Sequence, residues 1–97
     1  MRALAEIQVI PIGVGVSVRR EVIRAHDIIR KTGLTTELHA YGTNVEGDLD
    51  TILHAVKAVH ETLHAGGTTR LTTALKIGTR TDKESRLQDK LFDPLSS

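Results

Sequence analysis

The sequence predicts an α+β fold in which two helices cover one face of an antiparallel sheet. Three observations support this prediction. Some stretches alternate apolar and polar residues, others repeat apolar residues every three or four positions, and glycines separate the two kinds. The chain has 97 residues, so we expect one domain over residues 1–97 and no room for a second domain or a grafted lid.

The first half of the chain predicts a strand, a helix and a second strand. Alternation and β-branched residues predict the first strand over residues 3–12, and Gly13 to Gly15 predict a turn. Ser17 is the expected N-cap of the first helix, and Gly33 is expected just past its end. The apolar stripe of that helix contains Val18, Val22, Ala25 and Ile29.

From residue 35 onward the sequence predicts two strands, a helix and a final strand. Alternation predicts the second strand over residues 35–41, and residues 43–47 are expected to be a short extended piece, either the second arm of a hairpin or part of a bent strand. Asp48 is expected to cap the second helix, and residues 70–78 predict the fourth strand. A short C-terminal helix is expected to hold Leu87, Leu91 and Phe92. The expected apolar stripe of the second helix contains Leu49, Ile52, Leu53, Val56, Val59 or His60, and Leu63.

The order β-α-β-β-α-β is that of the ferredoxin-like, or split βαβ, fold. With both helices on one face, the other face of the sheet stays open. Its expected side chains are a mixture of polar and apolar groups, including Leu4, Ile10 and Tyr41. Such a surface is poor for a monomer, so we expect a second subunit to cover this face or the sheet edge.

Composition narrows the function classes. The net charge of +1 and an aromatic content of 2% argue against nucleic-acid and membrane surfaces, which need clustered positive charge. RNA-recognition domains of the same topology stack bases on aromatic residues of the central strands, and those strands have none here. The chain lacks cysteine and a hydrophobic stretch of membrane-spanning length. We therefore expect a cytoplasmic protein.

The motif His60-Glu61-Thr62-Leu63-His64 matches the H-E-x-x-H pattern of zinc proteases. A longer protease motif would place a third histidine at Arg70, and an arginine cannot bind zinc. Leu63 also belongs to the buried stripe of the helix. We therefore expect these residues to lie at the solvated edge of the helix, and we assign no metal ligand.

The glycine turn after the first strand supports an enzymatic alternative. Gly15-Val16-Ser17-Val18-Arg19 resembles the anion loop of acylphosphatases, small hydrolases of the same topology. In that alternative Arg19 binds the acyl phosphate and Asn44 corresponds to the catalytic asparagine. The pattern departs from the family at Val14, where acylphosphatases usually carry glutamine. A turn and an N-cap explain the same residues without catalysis.

The segment Gly42-Thr43-Asn44-Val45-Glu46-Gly47-Asp48 brings two glycines, a hydroxyl and a carboxylate to the point where a strand bends and a helix starts. Turn chemistry and capping explain these residue types. A corner that faces a ligand explains them equally well, with Thr43 and Glu46 as hydrogen-bonding groups. Both interpretations remain open from the residues alone.

Several segments, in their order and spacing, point to a known family. They are Val9-Ile10-Pro11-Ile12-Gly13, Tyr41-Gly42-Thr43-Asn44-Val45-Glu46-Gly47 and Val56-Lys57-Ala58-Val59-His60-Glu61, followed by Gly67, Arg70, Leu75-Lys76-Ile77, Arg80 and Asp82. Over nearly its whole length the chain resembles the MTH1187/YkoF-like family, also called the thiamine-binding protein family or UPF0045. The resemblance implies a ferredoxin-like fold and homodimers or homotetramers assembled through the sheet.

The resemblance also implies non-catalytic binding of thiamine or its hydroxymethylpyrimidine part, with no further cofactor. We expect the ligand site to contain Ser17, Tyr41, Gly42, Thr43 and Glu46. Glu46 would complement the cationic thiazolium, and Tyr41 is the expected ring for stacking on a pyrimidine. The acylphosphatase-like hydrolase and a structural or regulatory module that recruits a partner through its sheet remain the alternatives.

Overall fold

The structure is a computed structural model that describes residues 1–13, 19–83 and 86–87. The elements are β1 (Arg2–Ile12), α1 (Arg19–Arg30), β2 (Thr35–His39), β3 (Gly42–Asp48), α2 (Leu49–Ala65) and β4 (Arg70–Gly78). This order confirms the predicted ferredoxin-like arrangement. The predicted N-cap Ser17 lies outside the described residues, as do Leu91 and Phe92 of the predicted C-terminal helix.

The four strands form one sheet in the order β2-β3-β1-β4, and every neighbouring pair is antiparallel. The register places Glu6 opposite Asn44 on one side and opposite Lys76 on the other. Opposite residues share a face of the sheet, so these three polar side chains confirm the predicted open face. Ile7 lies opposite Thr43 and Leu75, and this set faces the helices.

The core lies between the sheet and the helices. Alternate residues of β1 provide Ala3, Ala5 and Ile7, and Val45 of β3 adds to them. α1 buries Ala25 and Ile29, while α2 buries Ile52, Ala55, Val59 and Leu63. Their spacing of three or four residues places each set on one helix face, as amphipathic packing requires.

The predicted apolar stripe of α2 is confirmed except at Leu53, since Ile52, Val59 and Leu63 are buried and Leu49 and Val56 pack against the core. Ala55 is buried, whereas Leu53 is 46% exposed. Ile52, Ala55 and Val59 are the positions that turn toward the sheet, and Leu53 lies one step around the helix from them.

Two further residues differ from their expected environment. Tyr41 lies in the turn between β2 and β3, because β2 ends at His39, which pairs with Gly42. Leu4 is on the open face but is only 8% exposed. The chain at Leu87 lies close to this part of the sheet, since the Leu87 N–H donates to Glu46 Oε2 at 2.8 Å.

The cap of α2 forms as predicted. Asp48 has extended backbone angles, and its Oδ2 accepts a hydrogen bond from the Asp50 N–H at 3.1 Å. This satisfies one of the N–H groups that the first turn of a helix leaves without a partner. Within the described part of the chain, no helix has the length and apolar character needed to cross a membrane.

Candidate functional site

A cavity of about 220 Å³ lies where α1 crosses the end of β1 and the turn between β2 and β3. We call it the hairpin cavity. Its walls are formed by Ile7, Gln8, Val9, Ile10, Val22, Ala25, Ile29, His39, Ala40, Tyr41, Gly42 and Thr43. Most of these side chains are apolar, and the polar ones gather at the turn, which is the usual composition of a small-molecule site.

The unequal lengths of the strands explain why a cavity forms there. β1 has 11 residues and β3 has seven. Beside β4, the pairing of β1 continues to Ile12 opposite Arg70, but beside β3 it stops at Ile7 opposite Thr43. The last residues of β1 therefore face the hairpin turn instead of a paired strand.

Gly42 sets how closely the turn approaches β1. A Cβ atom at this position would lie 2.5 Å from the carbonyl oxygen of Ile7 and 3.4 Å from Cα of Gln8. The first distance is far shorter than a carbon–oxygen van der Waals contact, so any side chain would push the hairpin away from β1. Gly42, one of the predicted site residues, thus shapes the cavity because it has no side chain.

Thr43 is a buried polar residue, 4% exposed, at the floor of the cavity. Its side chain points to the helix layer, and its Oγ1 lies 3.4 Å from Nδ1 of His26 on α1. This distance is long for a hydrogen bond. The Thr43 hydroxyl is therefore weakly held by the protein and is suited to bond a ligand.

His39 connects the cavity with the open face of the sheet. Its Nδ1 accepts a hydrogen bond from the Tyr41 N–H at 3.2 Å. In the neutral ring the proton must then be on Nε2, which lies 3.2 Å from Asn44 Oδ1 and 3.3 Å from Glu6 Oε2. Sequence reasoning did not include His39 in the site, although its place two residues before Tyr41 at the end of β2 was a usable signal.

Asn44 continues this network. Its Nδ2 donates to Glu37 Oε1 at 3.3 Å while its Oδ1 accepts from His39. Both ends of the amide that the acylphosphatase alternative requires are thus bonded within the sheet. Arg19, the other residue of that alternative, is the first residue of α1, and the loop that precedes it lies outside the described residues.

The structure does not bring Glu46 to the hairpin cavity. Glu46 Oε1 accepts from Arg2 Nη2 at 2.7 Å and Oε2 accepts from the Leu87 N–H at 2.8 Å. Its side chain is 14% exposed. Residues 43 and 46 are an odd number of positions apart in β3, so their side chains point to opposite faces of the sheet. The structure brings Tyr41, Gly42 and Thr43 together, and Ser17 lies outside the described residues.

The two histidines of the H-E-x-x-H motif form hydrogen bonds within the protein, away from the hairpin cavity. His60 Nε2 lies 2.6 Å from Thr73 Oγ1, and His64 Nδ1 lies 2.7 Å from the carbonyl oxygen of Thr68, to which a ring N–H donates. The two ring centroids are 6.1 Å apart. Among residues 1–13, 19–83 and 86–87, no three His, Asp or Glu side chains are placed to hold a metal ion.

The chain belongs to the thiamine-binding protein family, because the model of that family, described as thiamine-binding protein, matches residues 5–93. Relatives support this assignment. The UPF0045 protein sll0230 of Synechocystis is 43% identical over 91 residues, which cover 94% of this chain and 75% of that protein. The UPF0045 protein MJ1052 of Methanocaldococcus jannaschii is 41% identical over 90 residues, covering 93% and 89% of the two chains.

Solved structures agree with the fold. The crystal structure of MJ1052 has a TM-score of 0.88 to this chain at 41% identity, and the match covers 94% of this chain and 93% of that one. A Thermotoga maritima structure (TM0486), described as a candidate thiamine biosynthesis/salvage protein, has a TM-score of 0.84 at 22% identity. It covers 95% of this chain and 97% of its own. At that identity the likeness supports the fold alone.

Proposed function

We propose that this chain binds thiamine, or a related molecule with its aminopyrimidine or thiazolium ring, in the hairpin cavity without catalysing a reaction. The observation that carries the proposal is the cavity itself, with apolar walls and polar groups gathered at one end, in a chain of the thiamine-binding family. Since the chain has no cysteine and needs no oxidising compartment, we also propose the cytoplasm as its location.

Tyr41 is the group that would stack on the ligand ring. It lies on the rim of the cavity and is 76% exposed, so its ring has room to turn over a bound heterocycle. The only other aromatic residue of the types Phe, Trp and Tyr is Phe92, which lies outside the described residues. Burying one aromatic face against a planar ligand supplies a large apolar contact at small entropic cost.

Thr43 would bond the polar edge of the ligand, and His39, whose two ring nitrogens are already bonded, would keep the hairpin in place around it. The Thr43 hydroxyl donates or accepts, as an aminopyrimidine with both ring nitrogens and an amino group requires. His39 lines the same cavity and is fixed in one orientation by the Tyr41 N–H. A ligand would therefore meet polar groups that the hairpin has already oriented.

Two carboxylates make this end of the sheet suitable for a cation. Glu6 Oε2 lies 3.3 Å from His39 Nε2, and Glu37 is joined to His39 through Asn44. A thiazolium ring near His39 would be attracted by both negative charges. Glu6 and Glu37 take the place that sequence reasoning gave to Glu46, which is bonded to Arg2 and Leu87.

We further propose that the binding unit is a homodimer or homotetramer assembled through the sheet. The hairpin cavity is smaller than the ~300 Å³ at which typical ligand pockets begin, so a second copy is expected to extend its walls. Ile10 and Ile12 are 38% and 36% exposed on the open side of β1, where they would pack against that copy.

Calorimetric titration with thiamine and with hydroxymethylpyrimidine tests this proposal. We expect binding to the wild type and about tenfold weaker binding to Tyr41→Ala, equivalent to ~1.4 kcal/mol. Leu53→Ala is the matched control, because Leu53 is exposed on α2 and does not line the cavity. Native mass spectrometry of the same samples reports the number of subunits and bound ligands.

Absence of heat at millimolar ligand would contradict the proposal. Equal losses from Tyr41→Ala and Leu53→Ala would place the ligand outside the hairpin cavity. A monomer that retains full affinity would contradict only the proposed completion of the cavity by a second copy.

A further inference from the structure

A second cavity, of about 180 Å³, lies between the start of α1 and the end of α2. We call it the arginine cavity. α1 contributes Arg20, Glu21 and Arg24 to its walls, and α2 and the turn after it contribute Leu63 and residues 66–68. It shares no lining residue with the hairpin cavity, which uses a different face of α1. Its volume is many times the ~10–15 Å³ that a single water needs, so a polyatomic ion fits.

Two arginines and one glutamate, all on α1, give this cavity a net positive charge. Arg20 and Arg24 are four residues apart and therefore on the same face of α1, where two positive charges repel each other. Among the described residues, neither guanidinium has a carboxylate within ion-pair distance. By contrast, Arg30 on the same helix pairs with Asp27 at 3.5 Å. An anion placed between Arg20 and Arg24 would remove the repulsion and bond both side chains.

The two guanidinium groups are the main hydrogen-bond donors available to a ligand in this cavity, because the backbone N–H groups at the end of α2 are already bonded. The N–H groups of Gly66, Gly67 and Thr68 already donate to carbonyl oxygens of α2, at 3.0, 3.1 and 3.0 Å. A Cβ atom at position 66 would lie 3.2 Å from Arg24 Nη1, so the absence of a side chain lets the guanidinium lie against the backbone there.

The helix dipoles act in opposite directions at this place. The first turn of α1 favours an anion, whereas the carbonyl end of α2 disfavours one. Arg24 offsets the negative end of α2, but that role does not require Arg20. The second arginine in the same cavity is what indicates a ligand, because capping the end of α2 accounts for only one positive charge.

Glu21 gives the cavity a hydrogen-bond acceptor. Its carboxylate would repel a fully deprotonated anion but accept a hydrogen bond from one that carries a proton. Inorganic phosphate keeps at least one proton near neutral pH. A phosphate monoester, whose second pKa is about 6, keeps one in about half of its molecules at pH ~6 and in few of them well above it. Sulfate has none. We propose that the arginine cavity binds a phosphate group, free or as a monoester, through Arg20 and Arg24, with Glu21 accepting a hydrogen bond from a protonated phosphate oxygen.

Calorimetric titration of the full chain at pH ~6, where both phosphate probes carry a proton to a large extent, tests this proposal in a buffer without phosphate, sulfate or thiamine. The probes are inorganic phosphate, glycerol phosphate as a simple monoester, and sulfate. We expect phosphate or the monoester to bind more tightly than sulfate, and whichever of the two binds better identifies the source of the group. Arg20→Ala and Arg24→Ala are each expected to weaken binding at least tenfold.

Arg30→Ala is the matched control, because it removes one positive charge from α1 outside the cavity. Glu21→Gln should raise sulfate affinity relative to phosphate, since the amide no longer repels the anion. Absence of heat with both phosphate probes would overturn the proposal. So would equal losses from the Arg20, Arg24 and Arg30 variants, which would show general attraction to a positive helix. Tyr41→Ala should leave phosphate binding unchanged, so this test and the thiamine test fail independently.

Discussion

The two helices rest on the same sheet but pack against it very differently. α2 has 17 residues, and four of them (Ile52, Ala55, Val59 and Leu63) are no more than 2% exposed. α1 has 12 residues in the structure, and two of them are buried. Both cavities described above have walls from α1, and only the end of α2 reaches one of them.

The same contrast appears in a pair of equivalent contacts. Each helix directs a histidine to a threonine of the sheet, but His60 Nε2 lies 2.6 Å from Thr73 Oγ1, whereas His26 Nδ1 lies 3.4 Å from Thr43 Oγ1. The contact on the α2 side is short, whereas the α1 side leaves space and a weakly held hydroxyl. This division indicates that α2 contributes more of the stability, and it supports the proposal that ligands bind on the α1 side.

The largest effect on stability should come from shortening one buried isoleucine in each helix. We expect Ile52→Ala to lower the free energy of unfolding by about 4 kcal/mol and Ile29→Ala by about 2 kcal/mol. Both side chains are nearly fully buried, but Ile29 already lines the hairpin cavity. Its removal enlarges an open space, whereas removal of Ile52 leaves a closed void.

Urea unfolding of both variants at one protein concentration measures this difference, with equal slopes indicating comparable unfolded states. Equal losses, or a larger loss from Ile29→Ala, would contradict the division between the two helices.

The two threonines should give a smaller effect. Thr73→Val removes the partner of the half-buried His60, so we expect a loss of about 1 kcal/mol in unfolding free energy. Thr43→Val should cost less, because its contact with His26 is long, yet it should weaken thiamine binding. Unfolding and calorimetry on the same two variants measure both quantities. A loss of thiamine affinity in Thr73→Val that equals the loss in Thr43→Val would show that the two contacts are equivalent.

The fold could be predicted from sequence because its signals are local. Alternation defined the strands, Asp48 defined the cap of α2, and the fourth strand has the predicted limits of Arg70 and Gly78. The exposed Leu53 of α2 shows the limit of this reasoning. Hydrophobic spacing does not decide between a large exposed Leu53 and a small buried Ala55, because the answer depends on how closely the helix approaches the sheet.

The candidate site was predicted less completely than the fold, and the reason differs from residue to residue. Tyr41 was singled out for its ring, and Gly42 and Thr43 for the glycine-rich segment that they begin; the structure places all three on the hairpin cavity. His39 was missed because the cavity arises from the register of β1 against β3, which is not encoded in either strand alone. The contact between Glu46 and Leu87 joins residues 41 positions apart and has no local signal. The separation of Thr43 from Glu46, however, follows from strand alternation and was available from sequence.

The smallest effect concerns the cap of the stable helix. The Met1 ammonium group, which bonds Asp48 Oδ1 at 3.2 Å, is the main cause that lowers the pKa of Asp48 below its ordinary value of 3.8. A carboxyl group with a lowered pKa in the folded state stabilises that state above the unfolded pKa, and the stabilisation is lost as pH falls through the folded value.

Asp48→Asn separates this charge effect from the cap, because asparagine also accepts the Asp50 N–H. We expect Asp48→Asn to melt slightly below the wild type near neutral pH, and the difference to disappear once the pH is well below 3.8. Asp48→Ala, which loses the cap as well, should remain less stable at both pH values. Thermal melting by circular dichroism at the two pH values measures all three proteins. If the melting temperature of Asp48→Asn instead stayed below that of the wild type by the same amount at low pH, Asp48 would contribute through capping geometry and not through its charge. The contribution of Asp48 to the stability of α2 would then be independent of pH.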